Sequence, residues 1–402
     1  MQISITGYGA VTSFGLGVDA LWSGLLEGRS GARDLEGPVW EGLPVRIAAP
    51  VTADLEAELG HPKARQLDRS QQLALIAAAE AWRDAGSPEV EPERLAVAVG
   101  TGIGGVNTLL GQDDVLESRG ARRVSPRAVP MLMPNGAAAQ LSIEYGAKAG
   151  AFTPVSACAS GAEAITMAAR LIACDEADVV IAGGTESAVV PLTMASFAQA
   201  TALARPDGDP ATVSRPFSAD RRGFLLGEGA GIVILERADH AAARRARAHA
   251  ELAGWAVTSD AYHITATEPS GAQQVRAIRG SLRRAGLSPS DVDHVNAHAT
   301  GTPVGDLSEA TAIEEVLGTG VSVTAPKSAI GHLFGGAGAV ETIIAVKTIE
   351  DGVIPATLNL DEPDPQIHVD VVSGTPRRQE VRVALNNSFG FGGQNVTLAL
   401  TK

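Results

Sequence analysis

Only two cysteines, Cys158 and Cys174, occur among 402 residues. So few cannot build the disulfide framework that staples small secreted domains, and they fit a reducing compartment. Neither has a second sulfur at finger spacing and no HExxH occurs, which argues against a zinc site. Positive charge is short as well: 32 Lys and Arg stand against 46 Asp and Glu, a formal net charge of -14. That balance excludes broad nucleic-acid binding, which needs a positive field to displace counterions from phosphates, and leaves room only for local basic patches. No apolar run reaches the roughly 18 residues of a membrane span, and the start, MQISITGYGA, lacks a basic n-region and an apolar h-region. The expectation is a soluble, cytoplasmic protein.

Hydrophobic residues make up 45% and charged residues 19%, a globular balance that excludes disorder. The length allows two or three domains, or one duplicated α/β body. Short Val- and Ile-rich runs read as strands: QISITGYG, RLAVAVGTG, ADVVIAGG, GIVILE, HVNAHA, SVTAP and VRVALNNS. Between them SQQLALIAAAEAWRDAG, ASGAEAITMAARLIACDEA and AQQVRAIRGSLRRAG carry apolar positions at helical spacing, with Gly as the stop. Such alternation predicts an α/β fold with buried, partly parallel sheets. Two halves, 1–247 and 248–402, are expected to meet near RADHAAARRARAHAELAG, each running toward a glycine-rich turn, with GTGIGG (100–105) and FGFGG (389–393) as related turns. ARPDGDP (204–210) and LDEPDPQ (360–366) read as surface turns.

TPVSACASGAEAITMAARL sets Cys158 between an apolar run and a helix, among the small Ala157, Ala159, Ser160 and Gly161. At a helix N-terminus the dipole favours thiolate, and so attack on a thioester carbonyl. A buried structural cysteine is the alternative, and Cys174, near the end of the same helix, takes that reading. His298, in HVNAHATGTPVGD, follows a strand, and His332, in APKSAIGHLFGGAGAVE, is flanked by glycines with Lys327 before it and Glu341 after it. Beside a nucleophile the two form a candidate acid/base and electrophilic pair. NNSFGFGGQN follows a strand, and its N–H groups are candidate oxyanion donors. GTGIGG also fits G-x-G-x-x-G, but no acidic residue ends a second strand about 20 residues on, as a dinucleotide site requires.

In this order the motifs resemble the β-ketoacyl-acyl carrier protein synthases I and II, and VSACASGAEA and APKSAIGH are most similar to actinobacterial type II elongation condensing enzymes. ISITGYGAVTSFG, GGTESA, SRPFSADRRGFLLGEGAG and SDAYHIT extend the likeness over nearly the whole chain. The resemblance implies a thiolase-like fold of two pseudo-symmetric halves in five layers, αβαβα, and a decarboxylative condensation of acyl-Cys158 with malonyl-acyl carrier protein. It implies that the N–H groups of Cys158 and Phe391 hold the oxyanion and that His298 and His332 donate to the malonyl thioester oxygen. Lys327 and Glu341 would support them, with Asp306 and Glu309. Thr300 and Thr302 would bind pantetheine, while Ile103, Phe389 and Phe391 would line or gate the acyl pocket. Lys63, Arg65, Arg122, Arg123 and Arg205 would form a basic rim for the acidic carrier protein. No cofactor beyond the carrier's phosphopantetheine and no metal is implied, and the expected assembly is a homodimer or a heterodimer with a chain-length subunit.

Two departures bear on docking: Thr201 stands where many members carry arginine, and the stretch 48–65 is shorter than usual. A type II polyketide ketosynthase subunit, which shares the catalytic residues, is the alternative reading. A thiolase would need a cysteine after Cys174, a starter-type synthase carries Asn in place of His332, and a non-catalytic chain-length subunit usually lacks the nucleophile.

Overall fold

The structure, a computed structural model, describes residues 2–205 and 208–402. Five strands of the first half are β1 (Ile3–Thr12), β2 (Leu95–Gly100), β3 (Gly150–Phe152), β4 (Val179–Glu186) and β5 (Gly229–Arg237). The second half supplies β6 (Ala250–Ser259), β7 (His294–Asn296), β8 (Ser322–Thr324), β9 (Asp370–Val371), β10 (Val383–Gly390) and β11 (Gln394–Thr401). All eleven belong to one 12-stranded sheet, whose remaining strand is the short Gly15–Leu16 paired to β1. The first half runs in the order β3-β2-β4-β5-β1 and the second β8-β7-β10-β11-β6, with β9 outside β8. β2 pairs in parallel with β3 and β4 as β7 does with β8 and β10, and β5 pairs antiparallel with β4 and β1 as β11 does with β10 and β6. The halves meet where β1 pairs antiparallel with β6, Ser4 opposite Glu251 and Ile5 opposite Ala250.

That repeat corrects the expected match of glycine turns. GTGIGG follows β2, so its counterpart is the 297–302 stretch after β7, whereas FGFGG is the turn from β10 to β11.

Alternation along the strands divides the core, because successive side chains point to opposite faces. Val180 and Ala182 of β4, with Val233 and Leu235 of β5, face a central core, while Val179, Ile181, Ile232 and Ile234 face an outer one. Two helices fill the centre, α4 (Ser160–Ala173) and α7 (Ala337–Asp351), buried on nearly every side and packed against strands of both halves. Outside the first half lie α1 (Arg69–Asp84) and α3 (Gly136–Tyr145); outside the second lie α5 (Ala272–Ala285) and α6 (Pro303–Leu317). The result is the expected αβαβα layering. Between α1 and α3 in sequence runs α2 (Val106–Arg119). Asp68 caps α1 through Ser70 N–H and also receives the N–H and hydroxyl of Thr108 in α2, so one carboxylate fixes two helix starts.

The central helices touch at their N-termini through glycine. A Cβ on Gly161 would lie 2.7 Å from Gly335 O, and one on Gly338 would lie 2.9 Å from Ala162 N. This contact brings the segment before α4, carrying Cys158, against the segment before α7, carrying His332.

LDEPDPQ is a largely exposed turn, with Asp364 turned inward to Arg221 at 2.7 Å. In ARPDGDP, Pro206 and Asp207 lie outside the described residues. Among the described residues no helix is long and apolar enough to cross a membrane.

Candidate active site

Cys158 lies in a single 3-10 turn, Ala157–Ala159, immediately ahead of α4. Ala157 holds φ +51, a left-handed conformation that a residue with a Cβ adopts at a cost of about 1–3 kcal/mol. Ser160 secures the turn: its hydroxyl donates to Ala157 O at 2.7 Å and accepts Ser156 N–H at 2.9 Å. Burial pushes the Cys158 thiol up to about 11, against the downward pull of the Phe391 N–H, Lys327 and its own N–H. The expectation of thiolate from the helix dipole is therefore corrected, because desolvation outweighs the local donors and proton transfer must accompany attack. The two donors at the sulfur, Phe391 N–H and Cys158 N–H, are the pair expected for an oxyanion. Cys174 is exposed at the C-terminal end of α4 and is not the buried cysteine expected, since the helix has there left the core.

His298 follows β7 and His332 precedes α7. One ligating atom from each of Cys158, His298 and His332 falls within 4.8 Å of the others, and the imidazole centroids are 5.4 Å apart at 86°. Among the described residues this is the one group of His, Cys, Asp or Glu close enough to share a metal ion, and the Lys327 ammonium beside it opposes a cation. Burial, then Lys327, holds both histidines well below the ordinary imidazole range, so both are neutral near pH 7.

Their surroundings differ. Lys327 Nζ lies 3.3 Å from His298 Nδ1. An ammonium only donates, so Nδ1 accepts and the ring proton sits on Nε2. The ammonium is anchored 2.5 Å from Glu341, with both side chains almost wholly buried. Burial raises Glu341 to about 7 despite Lys327, and its Oε2 has no partner. Glu309 accepts the N–H groups of His298 and Ala299 at 2.8 and 2.7 Å, fixing the backbone of the histidine loop. Asp306 works one turn away, on Gly301 N–H and Phe217 N–H, and is not part of the Lys327 pair. Neither ring nitrogen of His332 is hydrogen-bonded; the ring stacks on Phe334, 4.7 Å between centroids.

An apolar wall surrounds Cys158: Met194, Ala198, Leu203, Phe224, Leu226 and Phe334, with Phe197 partly buried against them. Phe197 touches the rings of Phe224, Phe334 and Phe391. Sequence reasoning missed Phe197, Phe224 and Phe334; Phe224 sits in the GFLLGEGAG stretch, which was the available signal. Of the expected pocket residues, Phe389 is buried with its ring 6.1 Å from His298, Phe391 is half-buried, and Ile103 is 37% exposed. Thr300 and Thr302 face each other, hydroxyl to hydroxyl at 3.2 Å.

GTGIGG cradles no nucleotide phosphate, because a carboxylate of the protein takes its donors. Glu186, at the end of β4, accepts Gly102 N–H at 2.6 Å and Ile103 N–H at 3.3 Å. Arg65, Arg122, Arg123 and Arg205 are exposed, while Lys63 is paired with Glu144 at 2.8 Å. Thr201 holds φ +55 just past the helix Pro191–Gln199, and the short stretch near 48–65 forms the helices Leu55–Leu59 and His61–Ala64.

Comparison with known proteins agrees with this geometry. The family described as Beta-ketoacyl synthase, N-terminal domain, matches residues 1–241, and its C-terminal domain matches 249–361. A Mycobacterium tuberculosis protein named 3-oxoacyl-[acyl-carrier-protein] synthase 2 is 45% identical over 401 residues, 99% of this chain and 96% of its own. Among solved structures, the ishigamide ketosynthase/chain length factor superposes with TM-score 0.93 at 34% identity, covering 100% of this chain and 99% of that one. A type II polyketide acyl-carrier protein in complex with its ketosynthase bound to the hexaketide superposes with TM-score 0.91 at 29% identity, covering 100% and 98%.

Proposed function

The chain belongs to the β-ketoacyl synthase family, and from that premise we propose that it performs the decarboxylative condensation of an acyl-Cys158 intermediate with malonyl-acyl carrier protein in type II fatty acid synthesis. The observation that carries the reading is the convergence of one thiol, two neutral imidazoles and two N–H donors at the junction of the central helices.

In the first half-reaction the Cys158 sulfur attacks the acyl thioester while its proton passes to a neutral imidazole. His332 is the candidate acceptor, since His298 has its acceptor nitrogen occupied by Lys327. The N–H groups of Cys158 and Phe391 receive the oxyanion, and collapse expels the pantetheine thiol, which takes the proton back. Malonyl thioester then enters. Its C–C bond to the carboxylate breaks, carbon dioxide leaves, and the electron pair becomes an enolate whose oxygen accepts Nε2–H of His298 and an N–H of His332. The enolate carbon attacks the acyl carbonyl, the C–S bond breaks, and Cys158 departs as thiolate and takes up one proton from solvent, which balances the carboxylate lost as carbon dioxide. Lys327, Glu341 and Glu309 hold His298 in its tautomer and place. Ile103, Phe389 and Phe391, with the aromatic wall, hold the acyl chain, and Thr300 and Thr302 bind the pantetheine amides.

The halves 1–247 and 248–402 divide the work: the first supplies the nucleophile, the second both histidines. Lys63, Arg65, Arg122, Arg123 and Arg205 receive the acidic carrier, with Lys63 weakened by its bond to Glu144. A homodimer is the assembly we favour over a heterodimer with a chain-length subunit. Its support is the position of β3 at the end of the sheet, with Val155 exposed just beyond it. A polyketide ketosynthase role is the weaker reading, because the type II polyketide ketosynthase structure matches at 29% identity against 45% for the 3-oxoacyl synthase. The test is intact-mass analysis after incubation with acyl carrier protein: wild type and Cys174→Ala should gain one acyl mass and Cys158→Ala none, whereas equal acylation of Cys158→Ala would overturn the assignment.

A further inference from the structure

Glu186 closes β4 within GGTESA and is fully buried. Four donors converge on its two oxygens. Thr101 hydroxyl and Ile103 N–H reach Oε1 at 3.0 and 3.3 Å; Gly102 N–H and Gly335 N–H reach Oε2 at 2.6 and 3.2 Å. Burial raises this carboxyl to about 7 against the pull of the four donors, so it is ionised above that pH; a carboxylate is acceptor-only, which suits the set.

The donors come from two loops that meet at the reaction centre. Thr101, Gly102 and Ile103 belong to the turn after β2. Gly335 belongs to the turn Phe334–Gly336, whose first residue holds φ +46 and stacks on His332. The loops are in backbone contact, since a Cβ on Gly335 would fall 2.5 Å from Gly102 N. Neither turn is held by a regular ladder at this point, so the carboxylate is their common anchor.

We propose that Glu186 is a positioning residue whose carboxylate ties the loop bearing Ile103 to the turn that seats Phe334 on His332, so that the acyl pocket and the enolate site keep one geometry. It touches no reacting atom and acts through its neighbours. Its negative charge also adds to burial in pushing the Cys158 thiol up. Removing the charge should therefore make the thiol more acidic while making the enzyme worse, a pairing that simple loss of structure does not give.

The inference rests on the condensing reaction proposed above, and the experiment keeps the two apart. Glu186→Gln retains size but turns an amide NH2 either toward Gly102 and Gly335, which frees the Phe334–Gly336 turn, or toward Thr101 and Ile103, which weakens the hold on the first loop alone. We expect carbon dioxide release from malonyl carrier to fall roughly tenfold or more, as is typical when a supporting partner of an active-site group is lost. The preference among acyl chain lengths should change in the same variant. The pH midpoint for iodoacetamide alkylation of Cys158, followed in a Cys174→Ala background, should move downward. Thr101→Val removes one donor and keeps the charge, so release should fall several-fold with the midpoint unmoved. Wild-type release and chain preference in Glu186→Gln, with only a lower melting temperature, would overturn the proposal. If that variant does not fold, wild-type release in Thr101→Val overturns it. Failure of the wild-type protein itself to release carbon dioxide would instead strike the proposed reaction.

Discussion

Replacing Lys327 with Met keeps most of the buried stem and removes the one charge that serves both Glu341 and His298. Glu341 then has neither oxygen partnered by a cation in a wholly buried site. In the wild type, burial already carries its carboxyl to about 7 against the lowering effect of Lys327, so without that effect it rises further. The sign follows from proton binding. A carboxyl whose folded pKa exceeds its unfolded value binds more protons when folded, and stability falls as pH rises toward the folded pKa. The wild type is half-way through its titration at pH 7 and levels off by about pH 8; Lys327→Met goes on losing. One proton is worth about 1.4 kcal/mol per pH unit, so the stability gap should open by up to about 2 kcal/mol between pH 7 and 9. The assay is denaturant unfolding of both proteins at pH 6, 7, 8 and 9, followed by circular dichroism. Unfolding curves that keep a constant separation from pH 7 to 9 would refute the reasoning, because Lys327 and Glu341 would not then act as an ion pair.

Changing Arg122 and Arg123 to Glu should raise KM for acyl carrier protein well above any change for a small pantetheine thioester, since the lost attraction is electrostatic and remote from the chemistry; equal losses on both substrates would contradict a docking role. Thr300→Val with Thr302→Val should behave oppositely, raising KM for both substrates alike. With each lost hydrogen bond worth about 1 kcal/mol, the double change should amount to roughly 30-fold, and an unchanged KM for the small thioester would remove both residues from pantetheine binding.

Much of this architecture was legible because apolar alternation and glycine stops are local signals. The runs QISITGYG, RLAVAVGTG, ADVVIAGG and GIVILE became β1, β2, β4 and β5, and HVNAHA, SVTAP and VRVALNNS became β7, β8 and β10. Cys158 was legible as an elbow because small residues and a helix start flank it. What escaped depends on distance in the chain. Phe197, Phe224 and Phe334 form one wall only after three separate segments meet, and Glu186 shows its role only when β2 and β4 bring its carboxylate beneath the GTGIGG amides. The raised Cys158 thiol escaped for a related reason: a helix dipole is readable from local sequence, but desolvation is set by everything packed around the sulfur. For His298 the tautomer is fixed by Lys327, a partner 29 residues away in the chain, while His332 has no comparable partner. The misjudged burial of Cys174 came from the general preference of free cysteines for the interior, which does not hold where the helix ends at the surface.

In the proposed mechanism Cys158 and the two N–H donors carry acyl transfer, while His298, its proton fixed on Nε2 by Lys327, carries enolate formation with His332. Measuring carbon dioxide release from malonyl carrier beside intact-mass acylation for His298→Ala tests it most directly. Losing one preorganised donor costs on the order of 3 kcal/mol at the transition state. This variant should still gain an acyl mass on Cys158 but release carbon dioxide roughly a hundredfold more slowly. Release at the wild-type rate, with acylation intact, would contradict it.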